Sequence, residues 1–210
     1  LIIAQEKGRT TKEKLHRNFG MPRPEGYRKA YRLMKLGQKF NIPIITLIDT
    51  PGAYPGKGAE ERGQAQAIAR NLLLMSSLNV PIISIVLGEG ASGGALGIGL
   101  SDKIICLENT WYSVISPEGC ASILFRDSSL ASKAADSMKV TAKDLYEIKI
   151  ADEIIEEPKG GAHLHVMDTV ELIKTSIKKN LIELQSLTKE ELKAKRLKKY
   201  EEIGSWIDNG

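Results

Sequence analysis

The sequence predicts an α/β fold whose parallel sheet is buried on both faces. Three observations carry that prediction. Apolar strand-like runs alternate with segments of helical periodicity. Those runs are continuously apolar rather than alternating, as strands covered on both sides are. Glycines gather where two of the runs end, in residues 52–58 and 88–94.

The chain opens on Leu1-Ile2-Ile3-Ala4, strand-like and without an initiating Met, as a fragment cut into the middle of a fold would. After Pro24, a favourable first-turn residue, Tyr27, Ala30, Tyr31 and Met34 recur at helical spacing. Residues 42–48 read as a buried strand ending at Asp49, followed by a turn-rich loop from Thr50 to Gly58. A second helix from Glu60 puts Ile68, Leu72 and Met75 on one face. Residues 80–87 form the next strand, and a further helix starts at Ala95. Residues 103–107 and 112–115 are two more short strands.

Ser116 then caps a helix with Pro117 at its first position. Thr141 with Asp144, and Thr188 with Glu191, have the spacing of capping boxes, the second opening a charged C-terminal helix. Val166, Val170, Ile173, Ile177 and Leu181 make an apolar stripe suited to a core or subunit contact. No internal repeat stands out. The expected division is a main domain over 1–187 and a charged helix over 188–210.

A chain of 210 residues suits one sizeable core better than two very small ones. At 42% hydrophobic and 27% charged, its composition is that of a soluble globular protein. No apolar run reaches the roughly 18–20 residues of a membrane span. Charges at Glu6 and Lys7 argue against a signal peptide. Cys106 and Cys120 alone exclude a disulfide scaffold or a four-cysteine metal site and point to a reducing cytosol. With only His16, His163 and His165 besides, no metal is expected. The net charge of +4 gathers in Lys7, Arg9, Lys12, Lys14 and Arg17, and in Lys193, Lys195, Arg196, Lys198 and Lys199. Solvated helix faces are the plain reading, and an acidic cofactor such as CoA the sharper one. Nucleic acid is disfavoured, because no aromatic residues interleave with the basic ones.

Residues 88–94 match two motifs at once. Gly88, Gly90 and Gly93 give a dinucleotide fingerprint with Glu108 at ribose distance, although a strand–helix unit precedes it. Gly90, Ser92 and Gly94 give a nucleophile elbow, which Asp102 and His163 or His165 could complete as a serine hydrolase triad. A phosphate loop at Gly56-Lys57 fails, with Pro51 and Gly58 in the places of the required Gly and Ser or Thr. Common to the surviving readings is a glycine pair between a buried strand and a helix N-terminus, where backbone N–H groups face an anion or a developing oxyanion.

Three blocks carry a resemblance: Asn18-Phe19-Gly20-Met21-Pro22-Arg23-Pro24-Glu25-Gly26-Tyr27-Arg28-Lys29-Ala30, then Ile48-Asp49-Thr50-Pro51-Gly52-Ala53-Tyr54-Pro55-Gly56, then Ser113 through Leu124. With residues 88–94 between the last two, the chain resembles the α subunit of bacterial and plastid acetyl-CoA carboxylase carboxyltransferase. The resemblance implies a crotonase-like (ClpP/crotonase) ββα spiral with C-terminal helices, and a further N-terminal part absent here.

It also implies transfer of a carboxyl group from carboxybiotin, held on the biotin carboxyl carrier protein, to acetyl-CoA, giving malonyl-CoA for fatty acid synthesis. Another acyl-CoA enzyme of the crotonase superfamily is the alternative. The implied partners are a carboxyltransferase β subunit in an α2β2 heterotetramer and biotin carboxylase, in an ATP-dependent complex. The implied location is the bacterial cytoplasm or the plastid stroma. Gly93 and Gly94 are implied as the biotin-side oxyanion hole. Gly52, Ala53, Tyr54, Gly90 and Ser92 are implied to line the cleft, with a helix N-terminus at Ser116, Pro117, Glu118 and Gly119 nearby. Ala91 stands where Gly is common, which a negative φ there would tolerate.

Overall fold

The computed structural model describes residues 1–204, so the end of the expected 188–210 segment lies outside the described residues. The elements are β1 (Ile2–Ala4), α1 (Thr11–His16), α2 (Pro24–Lys39), β2 (Ile44–Thr50), α3 (Lys57–Glu61), α4 (Gln64–Ser77), β3 (Ile82–Ala91) and α5 (Ser92–Gly99). They continue as β4 (Lys103–Leu107), β5 (Trp111–Ser113), α6 (Pro117–Phe125), α7 (Ala131–Met138), α8 (Ala142–Glu147), β6 (Glu153–Ile155), α9 (Val166–Gln185) and α10 (Lys189–Glu201).

All strand pairs run parallel, in the order β1-β2-β3-β4-β6. The central strand, β3, is long enough to pair with β4 through residues 83–86 and then with β5 through residues 89–91. Successive residues of β2 and β3 serve opposite faces. Ile44, Ile48 and Ile82 pack with Met34, Met75 and Ile98 beneath α2, α4 and α5. Ile45, Ile83 and Ile85 pack with Ile105, Leu184 and Leu192 beneath α9 and α10. Both faces are buried, so the strands read as unbroken apolar runs.

Several sequence expectations need correction. The helix expected from Glu60 is two helices, broken where Gly63 takes a left-handed φ of 78°. The buried face of α4 is Gln64, Ala67, Asn71 and Met75, with Ile68 and Leu72 only half-buried at its edge. β3 runs on through Ala91 and absorbs half of the expected glycine loop, so α5 begins at Ser92 and not at Ala95. In the stripe on α9, Ile173, Ile177 and Leu181 pack on the core, whereas Val166 and Val170 are exposed.

The chain does carry a short repeat, its two copies lying in separate strands. Asn41-Ile42-Pro43-Ile44-Ile45-Thr46 recurs as Asn79-Val80-Pro81-Ile82-Ile83-Ser84. The two copies pair in register, and the Thr46 hydroxyl donates to Ser84 Oγ at 2.8 Å.

Arg196, grouped above with a solvated basic face, is 2% exposed. Its guanidinium donates to both carboxylate oxygens of Asp102 at 2.8 Å. It also donates to the carbonyls of Met75, Leu78 and Val80 at 2.8, 2.7 and 3.0 Å. Asp102 in turn accepts the Ile82 N–H that opens β3, at 2.7 Å. The device is repeated one strand along, where Lys199 pairs with Asp152, which accepts the Ile104 N–H of β4. Through these two cations α10 fastens the N-terminal ends of the central strands.

Arg196→Ala leaves a buried carboxylate and three carbonyls without their donor, and is expected to cost about 3–5 kcal/mol in urea denaturation. Lys195→Ala, on the exposed side of the same helix, should stay within about 0.5 kcal/mol.

Burial pushes the Cys106 thiol up to about 11 and the Tyr200 phenol up to about 12, and raises the phenols of Tyr27 and Tyr112 as well. The folded chain then keeps protons that the unfolded chain has released, so this contribution is complete below pH 9.0, the ordinary thiol value, and is lost as pH rises. Lys199, lowered by burial, acts in the opposite sense but is one group against four. Denaturation midpoints should therefore fall steadily between about pH 9 and 12.

Candidate functional site

The C-terminal ends of β2 and β3 meet the start of α5, and glycines make the meeting possible. Thr50 Oγ1 accepts the Gly52 N–H at 3.1 Å and donates to the Gly52 carbonyl at 2.8 Å, closing a tight turn with Gly52 at φ 147°. The first turn of α5 lies directly on that turn. A Cβ on Gly94 would fall on the backbone of Gly52 and Ala53, 2.6 Å from Gly52 Cα. Tyr54 continues the loop, its N–H donating to the Pro22 carbonyl at 3.0 Å and its ring 4.4 Å beneath the Arg23 guanidinium. The buried Gln64 amide ties the two segments by donating to the carbonyls of Pro22 (2.9 Å) and Tyr54 (3.0 Å).

At the N-cap of α5, Ala91 is extended with φ −123°, the negative value its Cβ requires. No side chain caps this helix. The corrected start places Gly93 and Gly94 within the first turn, where backbone N–H groups have no intrahelical acceptor and the positive end of the helix dipole lies. Ser92 is exposed and holds φ 54°.

Beside Ser92 and Gly93 opens a cavity of about 260 Å³, walled by Leu96, Tyr112, Val114, Leu145 and Ile150. Its character is apolar, and Tyr112 is the one titratable residue among those lining it, kept protonated by burial. None of these wall residues was singled out from the sequence for the site, because no motif links them and they converge only through the fold.

The structure separates the other expected residues by role. Gly90 lies inside β3, and a Cβ there would be 2.5 Å from the Tyr112 ring, so its bareness makes room for a side chain. A Cβ on Gly88 would be 2.8 Å from Asp49 Oδ1, leaving no room for a pyrophosphate, and Glu108 is engaged in accepting the Glu157 N–H. The dinucleotide reading falls on those contacts. Ser116 caps α6 by accepting the Gly119 N–H at 3.2 Å, with Pro117 and Glu118 in the first turn. That turn follows Val114 of the cavity wall but does not itself line the cavity.

Ser92 does have the left-handed φ of an elbow, yet the triad does not assemble. Asp102 is committed to Arg196 and to the start of β3, whereas Ser92 follows its far end, about 30 Å away along ten residues of strand. His163 and His165 are exposed, and neither lines the cavity. Among the described residues no group of three or more His, Cys, Asp or Glu could hold a metal ion, and no helix is long and apolar enough to cross a membrane.

Residues 1–204 match the family described as acetyl co-enzyme A carboxylase carboxyltransferase-like. The acetyl-coenzyme A carboxylase carboxyl transferase subunit alpha of Staphylococcus saprophyticus is 57% identical over 99% of this chain and 66% of its own length. That of Oceanobacillus iheyensis is 58% identical over 98% of this chain and 65% of its own. The chain thus spans just under two thirds of these relatives.

Two solved structures show the fold. Transcarboxylase 12S, with methylmalonyl-coenzyme A and methylmalonic acid bound, superposes with a TM-score of 0.64 at 23% identity, covering 74% of this chain and 31% of that one. A Pseudomonas malonate decarboxylase hetero-tetramer in complex with coenzyme A gives 0.70 at 16% identity, covering 93% and 78%. The crotonase-like fold with C-terminal helices holds.

The two glycines of α5 should respond differently to a methyl group. In Gly93→Ala the new Cβ meets only the tip of Ile68, at 3.3 Å, and Tm should move by less than about 2 °C. In Gly94→Ala it meets backbone, and overpacking of roughly 1–3 kcal/mol should lower Tm by about 3–10 °C in a thermal melt.

Proposed function

Because the chain belongs to the acetyl-coenzyme A carboxylase carboxyltransferase family, we propose that it is the α-type half of a carboxyltransferase site, passing a carboxyl group from carboxybiotin to acetyl-CoA to give malonyl-CoA. The observation that carries this reading is the uncapped first turn of α5, with Gly93 beside an apolar cavity. At about 260 Å³ the cavity falls below the roughly 300–1,000 Å³ of sites that bury a whole drug-sized ligand. It suits one small fused ring, with a polar edge toward the helix and an apolar face toward Leu96, Leu145 and Ile150.

Carboxybiotin, when bound, supplies the carboxyl group, and its ureido oxygen becomes more negative as that group departs. The Gly93 and Gly94 N–H groups, in the uncapped first turn of α5, would donate to that oxygen. The apolar wall beside Gly93 lowers the local dielectric and so strengthens the donor that faces it. Loss of one such donor costs about 2.7–4 kcal/mol of barrier in known enzymes, enough for backbone alone to carry much of the rate. The Gly52-Ala53-Tyr54 loop backs the donor turn and holds it in place. No side-chain base of this chain is required.

The acyl-CoA side of the site falls to a β-type subunit. Val114, Ile123 and Leu124 are 77%, 70% and 64% exposed around α6, an apolar surface suited to such a partner. The wider proposal is an α2β2 assembly served by the biotin carboxyl carrier protein and biotin carboxylase, in the cytoplasm, committing malonyl-CoA to fatty acid synthesis.

A second reading, serine hydrolysis at Ser92, has only its φ of 54° in favour and lacks a base. Assay of the reverse reaction, malonyl-CoA with a biotin analogue, should show activity only when the full-length chain and a β-type subunit are mixed. Ser92→Ala should retain most of that activity, and a fluorophosphonate probe should not label Ser92. A well-formed complex without activity, or full loss in Ser92→Ala, contradicts the proposal.

A further inference from the structure

Two side chains from outside the cavity converge on one carbonyl of the donor turn. The Tyr27 hydroxyl donates to the Gly94 oxygen at 3.1 Å. The Gln5 side-chain amide donates to the same oxygen at 2.9 Å. Tyr27 comes from α2 and Gln5 from the residue after β1, so three remote parts of the chain meet at Gly94.

Both donors are themselves held. Tyr27 is 1% exposed, and its ring fills the place of a side chain at Gly97, where a Cβ would lie 2.6 and 2.9 Å from Cε1 and Cδ1. Gln5 is anchored by its N–H donating to Leu47 at 3.1 Å and by its Oε1 accepting the Asp49 N–H at 3.2 Å. Neither residue lines the cavity.

The Gly94 carbonyl does not need them to be satisfied, since the helical pattern already offers it the N–H four residues on, at Ile98. What they add is orientation. Two consecutive glycines have more backbone freedom than any other pair. Tying down the Gly94 oxygen fixes the Gly94–Ala95 peptide plane, which carries neither donor but limits ψ at Gly94 and so anchors the C-terminal side of the Gly93–Gly94 unit. Donors that point at an oxyanion contribute most when their direction is set before the reaction. Gly97, bare inside a helix, gives Tyr27 the space to reach back.

We propose that Tyr27 and Gln5 are positioning residues for the Gly93–Gly94 donors, an inference that rests on the reading of those donors given above. Tyr27→Phe removes one hydroxyl and keeps the ring over Gly97. Gln5→Met keeps the length of the side chain and removes its amide. Each variant is made in the full-length chain, combined with its β-type subunit and assayed in the reverse reaction alongside thermal melts.

The expected signature is a kcat loss of roughly tenfold, equal to about 1.4 kcal/mol of barrier. KM for malonyl-CoA should stay within about twofold in both variants. Tm should stay within about 3 °C in Tyr27→Phe and fall by about 2–6 °C in Gln5→Met, which also leaves the Asp49 N–H without its acceptor. An active wild-type mixture with unchanged kcat in both variants overturns this inference alone. A kcat that falls only in step with Tm also overturns it, leaving the two side chains a purely structural part. No activity in the wild-type mixture overturns the donor reading, and this inference with it.

Discussion

The whole arrangement depends on one backbone contact, the packing of Gly94 onto the turn at Gly52 and Ala53. A side chain there forces the two segments apart, because a Cβ on Gly94 would lie within 2.6 Å of the Gly52 backbone. That approach lets α5 begin immediately at the end of β3 with its first N–H groups uncapped. Around it, bare positions admit particular side chains: Gly97 receives the Tyr27 ring, and Gly90 the Tyr112 ring. These glycines are spaces shaped for named neighbours, and within the dinucleotide fingerprint Gly88 and Gly90 are likewise taken up by Asp49 and the Tyr112 ring.

The parallel sheet supplies a rigid base for the contact. Its strands bury both faces, so their positions are fixed by packing above and below. At the opposite end of the sheet, Arg196 and Lys199 of α10 hold the aspartates that accept the Ile82 and Ile104 N–H groups at the starts of β3 and β4. A buried ion pair of this kind is costly to break. The end of the sheet that meets α5 thus keeps its uncapped N–H groups while the far end is closed by charge-assisted hydrogen bonds.

Much of this was legible in the sequence, for physical reasons. Pro24, Ser116 with Pro117, and the capping residues Thr141 and Thr188 marked helix starts that the structure reproduces, because capping is a local interaction. The central strands were legible from their apolar runs, and the glycine pair from its place after one of them. What escaped notice depends on contacts between remote segments. Arg196 looked like one more surface cation, and only the fold shows five hydrogen bonds gathering on it. The end of β3 is hidden in the sequence because Gly88 and Gly90 suggest a loop, whereas pairing with β5 extends them as strand. The cavity wall had no signature at all, since Leu96, Tyr112, Leu145 and Ile150 are ordinary apolar residues that meet only in space.

The central claim is that the Gly93 and Gly94 N–H groups face the biotin oxygen in the assembled enzyme. Glycine-selective ¹⁵N labelling of the full-length chain in complex with its β-type subunit, titrated with a soluble biotin analogue, tests it most directly. The account predicts saturable shifts of the Gly93 and Gly94 amide resonances, with Gly119 and Gly161 unmoved. Saturable shifts elsewhere, with the Gly93 and Gly94 resonances stationary, would contradict it.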